Sequence, residues 1–118
     1  MGLAVQKERG NVWVLRITGV LRKSEQDSVQ AAAAKDFEAG GTAKLLVIAE
    51  EFRGWEAGAD WGDLTFLVKY GDQITKIAVV ADPKWESSFL AFAGAGFRRA
   101  PVKFFRAGQT TEARAWLG

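Results

Sequence analysis

Neither cysteine nor histidine occurs among the 118 residues. Without cysteine there are no disulfides and no thiolate chemistry. Without histidine the commonest general base and the commonest metal ligand are both missing, which excludes a zinc site and a Ser/His/Asp triad. Long hydrophobic runs are lacking too: FLAFAGAGF at 89–97 is about half the ~18 residues that argue a membrane-crossing helix. The opening MGLAVQKERG has no signal-peptide core, so the expectation is a cytoplasmic protein without a transmembrane segment. Glycines at 10, 19, 54, 58 and 71 form neither G-x-G-x-x-G nor a Walker loop after a strand, and no cofactor is expected. Acidic residues are absent between Glu86 and Glu112, where Arg98, Arg99, Lys103 and Arg106 fall. With a net charge of only +2 and no recognisable motif, this patch does not argue for nucleic acid.

At 12.9 kDa the chain suits a single domain, 1–118, able to bury a core unaided. LAVQKERGNVWVLRITG alternates as two strands around Gly10-Asn11, residues that take positive φ cheaply in a tight turn. Gly19 closes the second strand. Ser24 then reads as the N-cap of a helix through VQAAAAKDFEAGG, with Glu25 and Asp27 in the first turn, Val29, Ala33, Phe37 and Ala32 as its apolar stripe, and Gly40-Gly41 as its stop. AKLLVIAE (43–50) and ITKIAVVAD (74–82) are nearly continuous apolar runs, as expected of central strands covered on both faces. PVKFF (101–105) is a shorter third run, with Pro101 tolerable at its first position. Helical patterns over 60–70, 84–98 and 109–117 lie between and after these runs, so the pattern predicts crossovers and an α/β, mostly parallel sheet.

Asp60 is placed to cap the 60–70 helix, and Asp82-Pro83 supplies a cap followed by proline at the first helical position. On the 60–70 helix, Trp61, Leu64, Leu67 and Val68 share one face, read as core-facing, while Phe66 and Tyr70 form a second strip needing a cover. On the 84–98 helix, Trp85, Phe89, Phe92, Ala93 and Gly96 share a side that Leu90 and Phe97 extend, and Gly94 and Gly96 give room for close approach at about 1 kcal/mol each in helix stability. Glu50, Glu51, Asp60 and Asp63 are near in sequence but lack calcium-loop spacing and a positioned partner, so neither metal nor catalysis is expected of them.

LLVIAEEFRGW, DWGDLTFL, ITKIAVVADPKWE, VKFF and EARAWL together resemble the SpoIIAA-like domains, relatives of the STAS and CRAL-TRIO groups, over nearly the whole chain. The resemblance implies a mixed five-stranded sheet with the first strand antiparallel and the rest mostly parallel, with about four helices mainly on one face. It implies a non-enzymatic binding module. The phosphorylatable serine of the anti-anti-sigma members does not carry over, because the joint reads Glu50-Glu51-Phe52-Arg53-Gly54-Trp55, and Glu50 and Glu51 would repel phosphate. The CRAL-TRIO side implies an apolar, lipid-like ligand under the helices. Phe52, Trp55, Trp61, Phe66, Tyr70, Trp85, Phe89 and Phe92 are therefore the candidate apolar surface, for such a ligand or for a homodimer. The alternative is a regulatory module docking a protein partner through the basic patch or through Glu50-Glu51. Trp61 is read as core, and Trp55 as a residue of the loop after a central strand.

Overall fold

Five strands lie in the order β1-β2-β3-β4-β5 across one sheet: β1 (Leu3–Glu8), β2 (Val12–Leu21), β3 (Ala43–Trp55), β4 (Ile74–Ala81) and β5 (Val102–Arg106). β1 is antiparallel to β2, and the remaining pairs are parallel. The helices are α1 (Lys23–Glu38), α2 (Thr65–Tyr70), α3 (Glu86–Phe92) and α4 (Thr110–Leu117). The computed structural model describes residues 2–61, 65–96 and 98–118. The expectations for Asp63, Leu64 and Phe97 lie outside the described residues.

Alternation along the strands feeds two cores. Trp13, Leu15, Ile17, Leu21, Ile77 and Val79 face α1, α2 and α3 together with Ala33, Phe37, Tyr70 and Phe89. Val14, Leu46, Ile48, Ala78, Val80 and Phe105 face the other way and are covered by Ala113 and Leu117 of α4. Three helices therefore cover one face and one helix the other, as expected of strands that read as continuous apolar runs.

The β1-β2 turn matches the expectation, with Gly10 at φ 74° and Asn11 at φ 61°. β2, however, does not stop at Gly19 but continues to Leu21, and β3 is 13 residues long. EFRGW is thus strand, and Trp55 ends that strand rather than standing in a loop. The cause is a pair of irregularities: Thr18 pairs with Glu50, Gly19 with Phe52, Val20 with Gly54 and Leu21 with Trp55, leaving Glu51 and Arg53 as extra residues on β3. Each extra residue flips the alternation once. Ala49, Phe52 and Trp55, spaced by three, consequently all belong to or pack against the core under α1–α3. Gly54 at φ 104° accommodates the second irregularity, and Glu51 takes φ 51° at the first.

Helix termini also depart from expectation. Ser24 lies inside α1, and the residue before the helix is Arg22. The first turn is tied by Glu25, whose carboxylate accepts the Arg22 amide at 3.2 Å and the Leu3 amide at 3.1 Å, joining α1 to β1. On the apolar stripe Ala33 and Phe37 are buried, whereas Ala32 is exposed and Ala34 packs instead. α1 ends with Gly40 N–H donating to Phe37 C=O and Gly41 N–H to Asp36 C=O, the double bond of a Schellman motif. Gln73 Nε2 adds bonds to the carbonyls of Phe37 (2.6 Å) and Gly41 (2.9 Å). α3 ends the same way, far short of residue 98: Gly94 N–H donates to Ala91 C=O and Ala95 N–H to Leu90 C=O, with Gly94 at φ 80°. Gly94 and Gly96 are therefore not helical residues at all. Gly94 is the left-handed residue that stops the helix.

Candidate functional site

Six of the eight expected site aromatics converge at the C-terminal end of β3. Phe52 contacts Trp55 and Trp85 edge-on with ring centroids 4.9 Å apart, and lies 4.8 Å from Phe89. Trp55 reaches Phe89 at 5.1 Å and Phe92 at 5.3 Å, and Trp61 meets Phe92 at 5.6 Å. Phe66 and Tyr70 belong to a second group, stacked about Phe37 at 6.1 and 5.8 Å. Such tilted and edge-on pairs add about 0.5–1.5 kcal/mol each beyond the area they bury.

These rings face inward more than outward. Phe52, Tyr70 and Phe89 are buried, and the other five are half-buried. On α2 the expected faces are reversed: Phe66 and Tyr70 form the core side, while Val68 is 82% exposed. The exchange follows from Phe37, which offers α2 an aromatic partner that Val68 cannot match. Trp61 packs against the core but remains half-exposed, its indole N–H donating to the Glu56 carbonyl at 2.9 Å. Tyr70 Oη donates to Glu38 Oε2 at 2.6 Å, and that bond, more than burial, holds the phenol above its usual pKa.

Between the sheet and α1–α3 lies a cavity of about 110 Å³. Its lining includes Phe37 and Phe66 from one aromatic group and Phe89 and Phe92 from the other, with Val29 and Ala33 of α1 above and Leu15, Val47 and Val79 of the sheet below. Sequence reading located this face but missed Arg98, whose side chain enters the same lining. Arg98 Nε and Nη1 are buried with no hydrogen-bond partner, as is Trp55 Nε1. Desolvation lowers the guanidinium pKa from its ordinary value. The only early signal was Arg98's place in an acid-free stretch, which pointed to a surface patch instead. That patch divides in the fold: alternation along β5, with Phe104 on the α1–α3 side and Phe105 on the α4 side, sends Lys103 and Arg106 to opposite faces.

Asp82 does cap, accepting the Lys84 amide at 2.9 Å, but the element it starts is a short 3₁₀ turn, Pro83–Trp85, that leads into α3. Glu50 and Glu51 are exposed. Among the described residues no three His, Cys, Asp or Glu side chains come together as a metal site, and no helix is long and apolar enough to cross a membrane.

The fold has solved counterparts. A protein from Shewanella loihica with a SpoIIAA-like fold superposes with a TM-score of 0.76 at 20% identity, covering 99% of this chain and 94% of its own. The anti-sigma factor antagonist SpoIIAA in its unphosphorylated form gives 0.63 at 10% identity, with 98% of each chain covered. The phosphorylated Bacillus cell fate determinant SpoIIAA gives 0.61 at 11% identity over 99% of this chain and 100% of its own. No curated protein sequence matches. A family model described as SpoIIAA-like matches residues 12–118, nearly the whole sheet and every helix, and the chain belongs to the SpoIIAA-like family.

Proposed function

We propose that this SpoIIAA-like domain is a non-enzymatic, cytoplasmic binding module that holds an apolar small molecule between its sheet and helices α1–α3. The observation that carries the reading is the cavity of about 110 Å³ lined by side chains of α1, α2 and α3 and of the sheet beneath them. Space of that size left unfilled by side chains costs about 2–3 kcal/mol at ~24 cal/mol per Å³, a cost that an apolar guest offsets. Of the eight aromatics expected to form a binding surface, Phe66, Phe89 and Phe92 line this cavity, whereas Phe52, Trp55, Trp61, Tyr70 and Trp85 do not. Self-association is the weaker version of the reading, because the large apolar side chains exposed among the described residues are only Val5, Val20 and Val68, scattered rather than contiguous.

Native mass spectrometry of gently purified protein, paired with titration of a neutral probe such as 1-hexanol followed by amide chemical shifts, tests the proposal. Bound apolar mass, or saturable shifts at Val29, Ala33 and Val47, supports it. Absence of both, in protein that remains folded, overturns it. Ala33→Leu, which grows into the cavity, is expected to abolish probe binding.

A second reading, docking of a protein partner, draws on a polar groove at the C-terminal ends of β2 and β3 lined by Thr18, Arg22, Glu25, Glu51 and Arg53. Glu51 there holds a left-handed conformation at φ 51°, a strain that clusters at functional surfaces. Loss of a defined partner on Glu51→Lys and Arg53→Glu, with probe binding unchanged, would favour this reading over the first.

A further inference from the structure

Among the described residues Arg98 is the only charged one lining the cavity; its polar companions, Gln26 and Gln30, are neutral. The chain delivers it there by a specific route. The left-handed Gly94 that stops α3 has no side chain, and a Cβ at that position would stand 3.2 Å from Arg98 Nε. The missing side chain leaves room for the guanidinium to lie against the turn and reach inward. Two of its nitrogens end there buried and unpaired.

A guanidinium does not escape this by giving up its proton. Buried donors without acceptors are costly, and a desolvated charge without a counter-charge more so. An anion placed against Arg98 would make charge-assisted hydrogen bonds in a region of low dielectric. Access exists from outside. Arg98 and Phe92 line both the cavity and a neighbouring groove between α2 and α3, whose other members include Leu67, Val68, Asp72 and Arg99. The two side chains thus form the wall between an apolar interior and a charged exterior.

The charges in that groove limit the ligand. Among the described residues of the groove, Arg98 and Arg99 against Asp72 leave one net positive charge, which matches a monoanion. A dianionic phosphate would bring its second charge towards Asp72. Size limits it further. A cavity of about 150 Å³ admits a benzene ring, so about 110 Å³ admits a body of roughly four carbons, with the head and the first carbons in the groove.

We propose that the ligand is a short-chain monocarboxylic acid, its carboxylate paired with Arg98 at the wall between groove and cavity and its hydrocarbon inserted among Phe66, Phe89 and Phe92. This rests on the apolar-ligand reading above and adds the head group to it.

The test compares three probes of one chain length on the full chain: hexanoate, 1-hexanol and hexyl phosphate, titrated by calorimetry and by amide chemical shifts at pH 7. Hexanoate is expected to bind at least ten-fold more tightly than 1-hexanol. Arg98→Gln should weaken hexanoate far more than 1-hexanol and so bring the two affinities together, and Arg98→Lys should recover part of the difference. Equal affinity for hexanoate and 1-hexanol in the unaltered protein overturns the head-group assignment but leaves the apolar-ligand reading standing. Tighter binding of hexyl phosphate overturns the carboxylate in favour of phosphate. Binding of none of the three sinks both readings. The decisive comparison uses the unaltered chain, so it holds even where a variant fails to fold.

Discussion

The two faces of the sheet are built from the same strands and solve different packing problems. On the α4 face the contact rests on small and aliphatic side chains: Ala78 and Ala113 are both 0% exposed, and Leu46 and Leu117 close around them. One helix approaches closely and is held at its end by Lys76, whose Nζ donates to the Trp116 carbonyl at 2.7 Å and lies 4.7 Å from the centroid of the Trp116 ring. On the α1–α3 face the contact rests on aromatic rings gathered in two groups, with the cavity between them. The unpaired buried donors found among the described residues, on Trp55 and Arg98, belong to this second face. Close approach of one helix leaves little to fill, whereas three helices bridged by bulky planar rings cannot meet at a point. The lesson is that the face with more aromatic residues is also the more hollow one.

The largest effect is expected at Phe89, which is 1% exposed and touches both Phe52 and Trp55. Phe89→Ala is expected to cost about 3–5 kcal/mol in urea-induced unfolding. A cost under about 1 kcal/mol would mean that the aromatic wall does not support the fold as described. A sharper test puts the same substitution on each face. Ala113→Leu should destabilise by about 1–3 kcal/mol, since no room is left beside Ala78. Ala33→Leu, which grows into the cavity, should stay within about 1 kcal/mol of the unaltered chain. Equal costs at the two positions would refute the contrast between the faces.

Gly94→Ala should cost about 1–2 kcal/mol, because φ 80° is unfavourable for any residue with a Cβ. It should also weaken hexanoate more than 1-hexanol by displacing Arg98. The smallest effect expected is electrostatic. Glu8 Oε1 and Oε2 accept from Arg114 Nη1 and Nη2 at 2.5 and 3.2 Å, tying β1 to α4, and that bond holds the Glu8 carboxyl below its usual pKa. A carboxylate with a depressed pKa stabilises the folded state above its unfolded value and loses that contribution as pH falls. As pH falls through the ordinary glutamate range and below it, melting midpoints of the unaltered chain should therefore drop slightly more steeply than those of Glu8→Gln. Exposed pairs contribute little, so a large difference at pH 7 would contradict this account.

Much of the architecture was legible in the residues. Continuous apolar runs announced β3 and β4, the Asn11 turn announced the first hairpin, and the strand–helix alternation announced the parallel sheet. The legible features are local ones, fixed by alternation and backbone preference within a few residues. Two misreadings share one cause. Ala49, Phe52 and Trp55 recur at a spacing of three, which belongs to no regular strand, so the stretch looked like a loop. The extra residues Glu51 and Arg53 convert that spacing into one face only because β2 lies alongside with Gly19 opposite Phe52. Likewise Phe66 and Tyr70 faced inward because Phe37, far away in sequence, was there to meet them.

By itself, then, the sequence determined the set of elements, their order and the surplus of aromatic residues under the helices, because each depends on side-chain type and short-range spacing. Which rings meet, where the cavity falls and how Arg98 turns inward past Gly94 were settled by the folded arrangement. Those outcomes depend on distances between residues the chain separates widely, and no period along it encodes them.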